Sequence, residues 1–162
     1  MVSSRISENF VYIPENDTHM VTMSGARTYT AVLERLRRVG LRPTRQRLAL
    51  AKLLFSGEDR HVTAEALHKE ALANQICVSL ATVYNTLHQF TDAGILREVV
   101  VDAARSYFDT NTRHHHHFYR EDDQKLVDIP DDHVVLKKLP SPPAGTSISQ
   151  VDIVVRIHPT ST

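Results

Sequence analysis

Four consecutive histidines, His114, His115, His116 and His117, are the residues best equipped for chemistry in this 162-residue chain. Neutral imidazole ligates zinc, late first-row metals and haem iron. In an extended segment side chains alternate, so His114 and His116 share one face while His115 and His117 share the other. Each pair can serve its own site, or one pair alone is used. Further candidate ligands are His61, Asp102 at the tip of an expected hairpin, and His133, with the acids of 128–132 beside it. A solvated polar strand or a pH-sensitive patch is the plainer reading of such a run, because an unperturbed imidazole titrates near ~6.5.

A second set of residues suits recognition of a groove. Leu80, Val83, Leu87 and Phe90 are spaced to build one buried helical stripe. The rest of that helix shows Thr82, Tyr84, Asn85, His88 and Gln89, uncharged donors and acceptors that match base edges; Asn and Gln can pair bidentately with adenine.

The elements that position these residues follow from periodicity and punctuation. Residues 29–39 predict a first helix stopped by Gly40, and Pro43-Thr44 opens a second. Thr63 caps a third helix over 64–72, and Ser79 caps a fourth that runs to Ala93 and stops at Gly94. Residues 95–101 and 105–109 then flank Asp102-Ala103-Ala104 as a hairpin. Three helices followed by a two-stranded wing describe a winged helix-turn-helix, whose recognition helix enters a major groove. Beyond residue 110 the pattern predicts strands, a short helix and a joint at Pro140, Pro142 and Pro143. A last strand over 148–157 alternates Val151, Ile153, Val155 and Ile157 with polar residues. Its apolar face and free edge invite pairing with a second copy. The class is therefore α+β: an N-terminal extension (1–26), a winged helix-turn-helix domain (27–109), and a small α/β dimerisation and sensing domain (110–162).

Charge sharpens this division. Lysine plus arginine equals aspartate plus glutamate, 19 each, and that balance taken alone argues against a nucleic-acid binder. Yet residues 27–52 hold eight basic side chains against Glu34 alone, while 121–132 hold six acids against Lys125. A local basic field steers a polyanion even on a neutral chain. Cys77 is the only cysteine, so a Cys-based structural zinc site within one chain is excluded and a reducing compartment is expected. No apolar stretch approaches the roughly 20 residues that span a bilayer. The first 26 residues lack the apolar core of a secretory signal. A cytoplasmic location without membrane contact is expected.

Several segments together resemble the ferric uptake regulator family. They are Gly40-Leu41-Arg42-Pro43-Thr44-Arg45-Gln46-Arg47, His61-Val62-Thr63-Ala64-Glu65, Leu80-Ala81-Thr82-Val83-Tyr84-Asn85-Thr86-Leu87, Asp92-Ala93-Gly94-Ile95 and the histidine run. The resemblance covers about residues 27–158, in order. Within the family the chain is most similar to the haem-responsive iron response regulators of alpha-proteobacteria. The resemblance implies a dimer or higher homo-oligomer on A/T-rich double-stranded DNA operators. Tyr84 then approaches bases and Arg42 reaches a minor groove, with Thr44, Arg45, Thr82, Asn85 and His88 also at the DNA. Asn85 stands where relatives often have arginine, which implies a different sequence preference.

The resemblance also frames the sensing chemistry. Arg120 and Asp123 stand where relatives carry a Cys-x-x-Cys pair, so the structural zinc held there is not expected. One regulatory site of relatives draws on positions matching His61, Asp102 and the histidine run; another draws on a late histidine, matched here by Val151. The haem-responsive branch implies haem held by histidine, since Cys77 is followed by Val78 rather than proline. Haem supply by a haem-synthesis enzyme goes with that reading. The expected function is thus a DNA-binding regulator of iron and haem homeostasis. A sensor of Fe2+, Mn2+ or Zn2+ is the alternative. A metal-dependent hydrolase is the reading from another class, but the chain has no H-E-x-x-H motif and no nucleophile elbow, and no enzyme is expected.

Overall fold

The computed structural model describes residues 23–103 and 105–160, so most of the expected N-terminal extension lies outside the described residues. The chain divides into two compact units, residues 1–58 and 59–162.

In the first unit, α1 (Met23–Arg38) begins six residues before the expected start at Tyr29. Gly25 does not stop it, since one glycine costs a helix only about 1 kcal/mol relative to alanine. At its end Gly40 takes φ +75°, while Gly40 N–H donates to Arg37 O and Leu41 N–H to Leu36 O, 3.0 Å each. That bond pair is a Schellman stop, and it needs a residue free to adopt the left-handed region. α2 (Arg45–Phe55) starts at Thr44, whose hydroxyl accepts the Arg47 N–H at 3.3 Å. The two helices pack together, with Val32, Leu36, Leu50, Ala51 and Leu54 buried.

The second unit opens with β1 (His61–Val62), a strand that two residues are too short to announce by periodicity. α3 (Ala64–Ala73) and α4 (Leu80–Asp92) follow, capped at Thr63 and Ser79 as expected. In α4 the buried stripe is Val83, Thr86, Leu87 and Phe90; Leu80 of the expected stripe is only half-buried. Gly94, at φ +71°, repeats the stop seen at Gly40: its N–H donates to Thr91 O at 2.9 Å, and Ile95 N–H to Phe90 O at 3.0 Å. β2 (Arg97–Asp102) and β3 (Arg105–Asp109) form the hairpin, and β1 adds to the far side of β3, giving the order β1-β3-β2.

A second sheet, ordered β5-β4-β6, is built from β4 (His116–Arg120), β5 (Lys125–Ile129) and β6 (Val154–Ile157). β5 runs antiparallel to β4 and β6 parallel to it. Val99, Val101 and Tyr107 from the first sheet and Tyr119 and Leu126 from the second make one apolar cluster, with Val154 against it.

Two expectations fail in this half. Among the described residues the short helix is only a 3-10 turn, Asp131–His133. The last strand contracts from 148–157 to Val154–Ile157. In its upstream half Gln150 Nε2 donates to both carboxylate oxygens of Asp152 at 2.6 and 2.8 Å, and Asp152 pairs with Arg97. No helix among the described residues is long and apolar enough to cross a membrane.

Candidate metal centre and nucleic-acid surface

Strand ends bring five ligand-type residues to one point in the second unit. His61 comes from β1 and Asp109 from the end of β3, which the ladder sets opposite one another. His117 and Asp128 are likewise register partners on β4 and β5. His115 precedes β4 by one residue and shares the His117 face. One ligand atom from each of His61, Asp109, His115, His117 and Asp128 lies within 4.8 Å of all the others. The alternation expected for the histidine run is present: the rings of His115 and His117 pair at 4.5 Å, and those of His114 and His116 at 5.1 Å.

All three imidazoles of the group turn Nε2 inward. His115 Nε2 lies 2.9 Å from Asp109 Oδ2 and His61 Nε2 2.9 Å from Asp128 Oδ1. His61 and His117 Nε2 are each 3.5 Å from Asp109 Oδ2. Yet Nε2 of His61, His115 and His117 and Oδ2 of Asp109 are buried without a directed hydrogen-bond partner. Buried polar atoms without hydrogen bonds are costly, so a set of four converging on one point fits a cation that all of them ligate. One outward ring atom is anchored. His115 Nδ1 contacts Arg113 O at 2.8 Å, which fixes the tautomer that leaves Nε2 a lone pair. Burial raises the cost of ionising Asp109, but the His117 and His61 imidazoles and the Asn111 amide outweigh it and hold its carboxyl well below the usual carboxylate range. Three nitrogen donors with two carboxylate oxygens suit a first-row divalent ion such as zinc, iron or manganese better than calcium, which takes oxygen ligands.

The other candidate ligands lie elsewhere. Asp102 pairs in register with Arg105, at the opposite end of the hairpin from Asp109, whose partner is Arg97. Four steps along a strand put it about 13 Å away. His114 is exposed, His116 is buried on the other face, and His133 sits exposed in the 3-10 turn. Asp109 was missed by sequence reasoning; the signal was there in the hairpin, since the acid at the wing's end, not at its tip, borders the histidine strand.

On α4, Ala81, Tyr84, Asn85 and His88 are exposed, while Thr82 and Gln89 are half-buried. The Thr82 hydroxyl is engaged at the cap, 2.8 Å from Ser79 Oγ. Tyr84 stacks on His88 with ring centroids 6.3 Å apart and donates its hydroxyl to Glu65 Oε1 at 2.6 Å. In the first unit, Arg42, Thr44 and Arg45 are exposed at the start of α2, and Arg47 Nη1 donates to Arg42 O at 2.8 Å.

The sequence profile of the "Ferric uptake regulator family" matches residues 38–155. The ferric uptake regulation protein of Klebsiella pneumoniae is 35% identical over 104 residues, 64% of this chain and 67% of its own. The ferric uptake regulator of Vibrio cholerae superposes with TM-score 0.62 at 26% identity, covering 77% of this chain and 97% of that one. A Pseudomonas aeruginosa ferric uptake regulator with manganese gives TM-score 0.61 at 24% identity, over 80% and 98%. This chain belongs to the ferric uptake regulator family, a class of metal-sensing, DNA-binding transcription regulators rather than enzymes. The winged helix followed by an α/β dimerisation domain, expected from the sequence, is the fold it shares with these neighbours.

Proposed function

We propose that this protein is a divalent-metal-responsive transcription regulator that binds A/T-rich operators as a homodimer and senses its ion through His61, Asp109, His115, His117 and Asp128. The observation that carries this is the convergence of three inward imidazole nitrogens and two carboxylates, four of whose ligand atoms are buried without hydrogen bonds. A bound ion supplies positive charge and directional ligation at that point. The chain's own contribution is architectural. His61 and Asp109 belong to the β1-β3-β2 sheet, whereas His117 and Asp128 belong to the β5-β4-β6 sheet. Ligation therefore fixes the wing sheet against the second sheet. Linkage requires the ion to prefer the DNA-competent arrangement; a hundredfold preference is worth about 2.7 kcal/mol. DNA contacts are assigned to Arg42, Thr44 and Arg45 for backbone and minor groove, and to Thr82, Tyr84, Asn85 and His88 for base edges.

Haem sensing is the second reading, kept by the histidine run and by exposed His114, which is accessible for axial ligation from outside the group. The paired carboxylates favour the small ion, because a porphyrin iron needs open faces rather than five converging protein donors. The test is operator binding by fluorescence anisotropy, with metal-free protein titrated separately with Fe2+, Mn2+, Zn2+ and haem. Tightening by at least tenfold with one of the ions, lost in His117→Ala, is expected. A response to haem alone would overturn the metal reading in favour of the second.

A further inference from the structure

Asn111, in the turn between β3 and β4, touches both carboxylates of the metal centre on their far sides. Its backbone N–H donates to Asp109 Oδ1 at 2.8 Å, and its side-chain Nδ2 donates to Asp128 Oδ2 at 3.1 Å. The inward atoms of those carboxylates are the other two, Asp109 Oδ2 and Asp128 Oδ1. The amide's orientation is itself set: Asn111 Oδ1 accepts from Arg113 N–H and Arg113 Nε, both at 3.3 Å, so Nδ2 must face Asp128. Arg113 in turn offers its carbonyl to His115 Nδ1. One short segment thus orients three of the five ligands.

We propose that Asn111 is a positioning residue that holds Asp128 to one-oxygen ligation and thereby sets the centre's preference among divalent ions. This rests on the metal-responsive reading above. With each carboxylate giving one oxygen, the protein offers three nitrogens and two oxygens, a low coordination number. The backbone bond to Asp109 survives any side-chain change, so the side chain acts on Asp128 alone. Asp128 has room to respond, since its side chain is 39% exposed. Without the Nδ2 clamp it can turn and present both oxygens, raising the donor count and the oxygen share. That change favours harder Mn2+ over Zn2+.

The experiment compares wild type with Asn111→Ala and with Asn111→Leu, which keeps the shape but has no donor. Cobalt(II) serves as the spectroscopic probe, and competition titrations give the Zn2+ and Mn2+ affinities. Both variants are expected to bind cobalt with weaker visible bands, the mark of higher coordination. Zn2+ affinity is expected to fall about tenfold, with Mn2+ affinity changing less. Unchanged bands with both affinities unchanged, or lowered equally, overturn the proposal, because a structural role alone weakens every ion alike. A wild-type chain that shows no cobalt band overturns the metal reading itself, and this inference with it. Wild-type binding with silent variants overturns this inference only.

Discussion

At the scale of single residues, the centre depends on side chains whose roles differ sharply. His117 is fully buried, so His117→Ala removes a donor that water cannot replace without disturbing the packing. Metal affinity is expected to fall at least tenfold in isothermal titration, whereas His114→Ala, at an exposed side chain on the other face of the segment, is expected to leave it unchanged. On α4, Asn85→Ala is expected to cost about 1–3 kcal/mol on a preferred operator and less on scrambled DNA. Arg42→Ala is expected to weaken both alike and to reduce the salt slope by about 1. Tyr107 gives a pH test. Burial and the neighbouring Tyr119 push its phenol up to about 12, against the opposing charge of Arg105. The neutral phenol is the folded form, so its contribution is fully present below pH ~10, the ordinary tyrosine value, and is lost as pH rises towards 12. Tyr107→Phe should flatten that alkaline loss in denaturant titrations and remove a late-ionising tyrosine from the absorbance titration. Persistence of the late tyrosine in the variant would count against this assignment.

At the scale of elements, caps and register explain what was legible. Thr44, Thr63 and Ser79 announce three helices because a hydroxyl before an apolar-periodic run has few other uses. Thr63→Ala is expected to cost about 1 kcal/mol in chemical denaturation, since it orphans the Ala66 N–H. The face shared by His115 and His117 was readable from alternation alone. Asp109 was not, because choosing between the acids at the two ends of a hairpin needs to know which end meets the next sheet. β1 escaped notice since its two residues have no period to detect; it exists because β3 offers an open ladder. The 148–157 strand was overread for the opposite reason: alternation was present, but only Val154–Ile157 finds ladder partners, on β4. Arg97 on β2 deserves a variant of its own. Its guanidinium donates to His115 O at 3.0 Å and pairs with Asp152, tying the wing to the histidine segment. Arg97→Met should destabilise by about 1–3 kcal/mol and weaken metal binding, both measured on one preparation.

For the whole molecule, net neutrality conceals opposed halves: eight basic side chains against one acid within 27–52, and six acids against one lysine within 121–132. Binding to operator DNA should therefore fall steeply with salt despite the zero net charge. Metal at a hundred times its dissociation constant is expected to stabilise the protein by about 2.7 kcal/mol, raising the melting temperature by several degrees in calorimetry. At the same metal concentration the His117→Ala variant should show a smaller rise, corresponding to about 1.4 kcal/mol or less.

The smallest strand has the largest consequence for kinetics. β1 is held by only two register pairs, Val62 with Phe108 and His61 with Asp109, and the second is a pair of candidate ligands. Without the ion, this short ladder is the segment best placed to open locally while the core stays folded, so its amides should exchange hydrogen early. With the ion, opening it would also mean breaking the coordinate bond to His61. Exchange at residues 61–62 thus becomes a clock for ion release, readable by mass spectrometry before any change in DNA binding is seen.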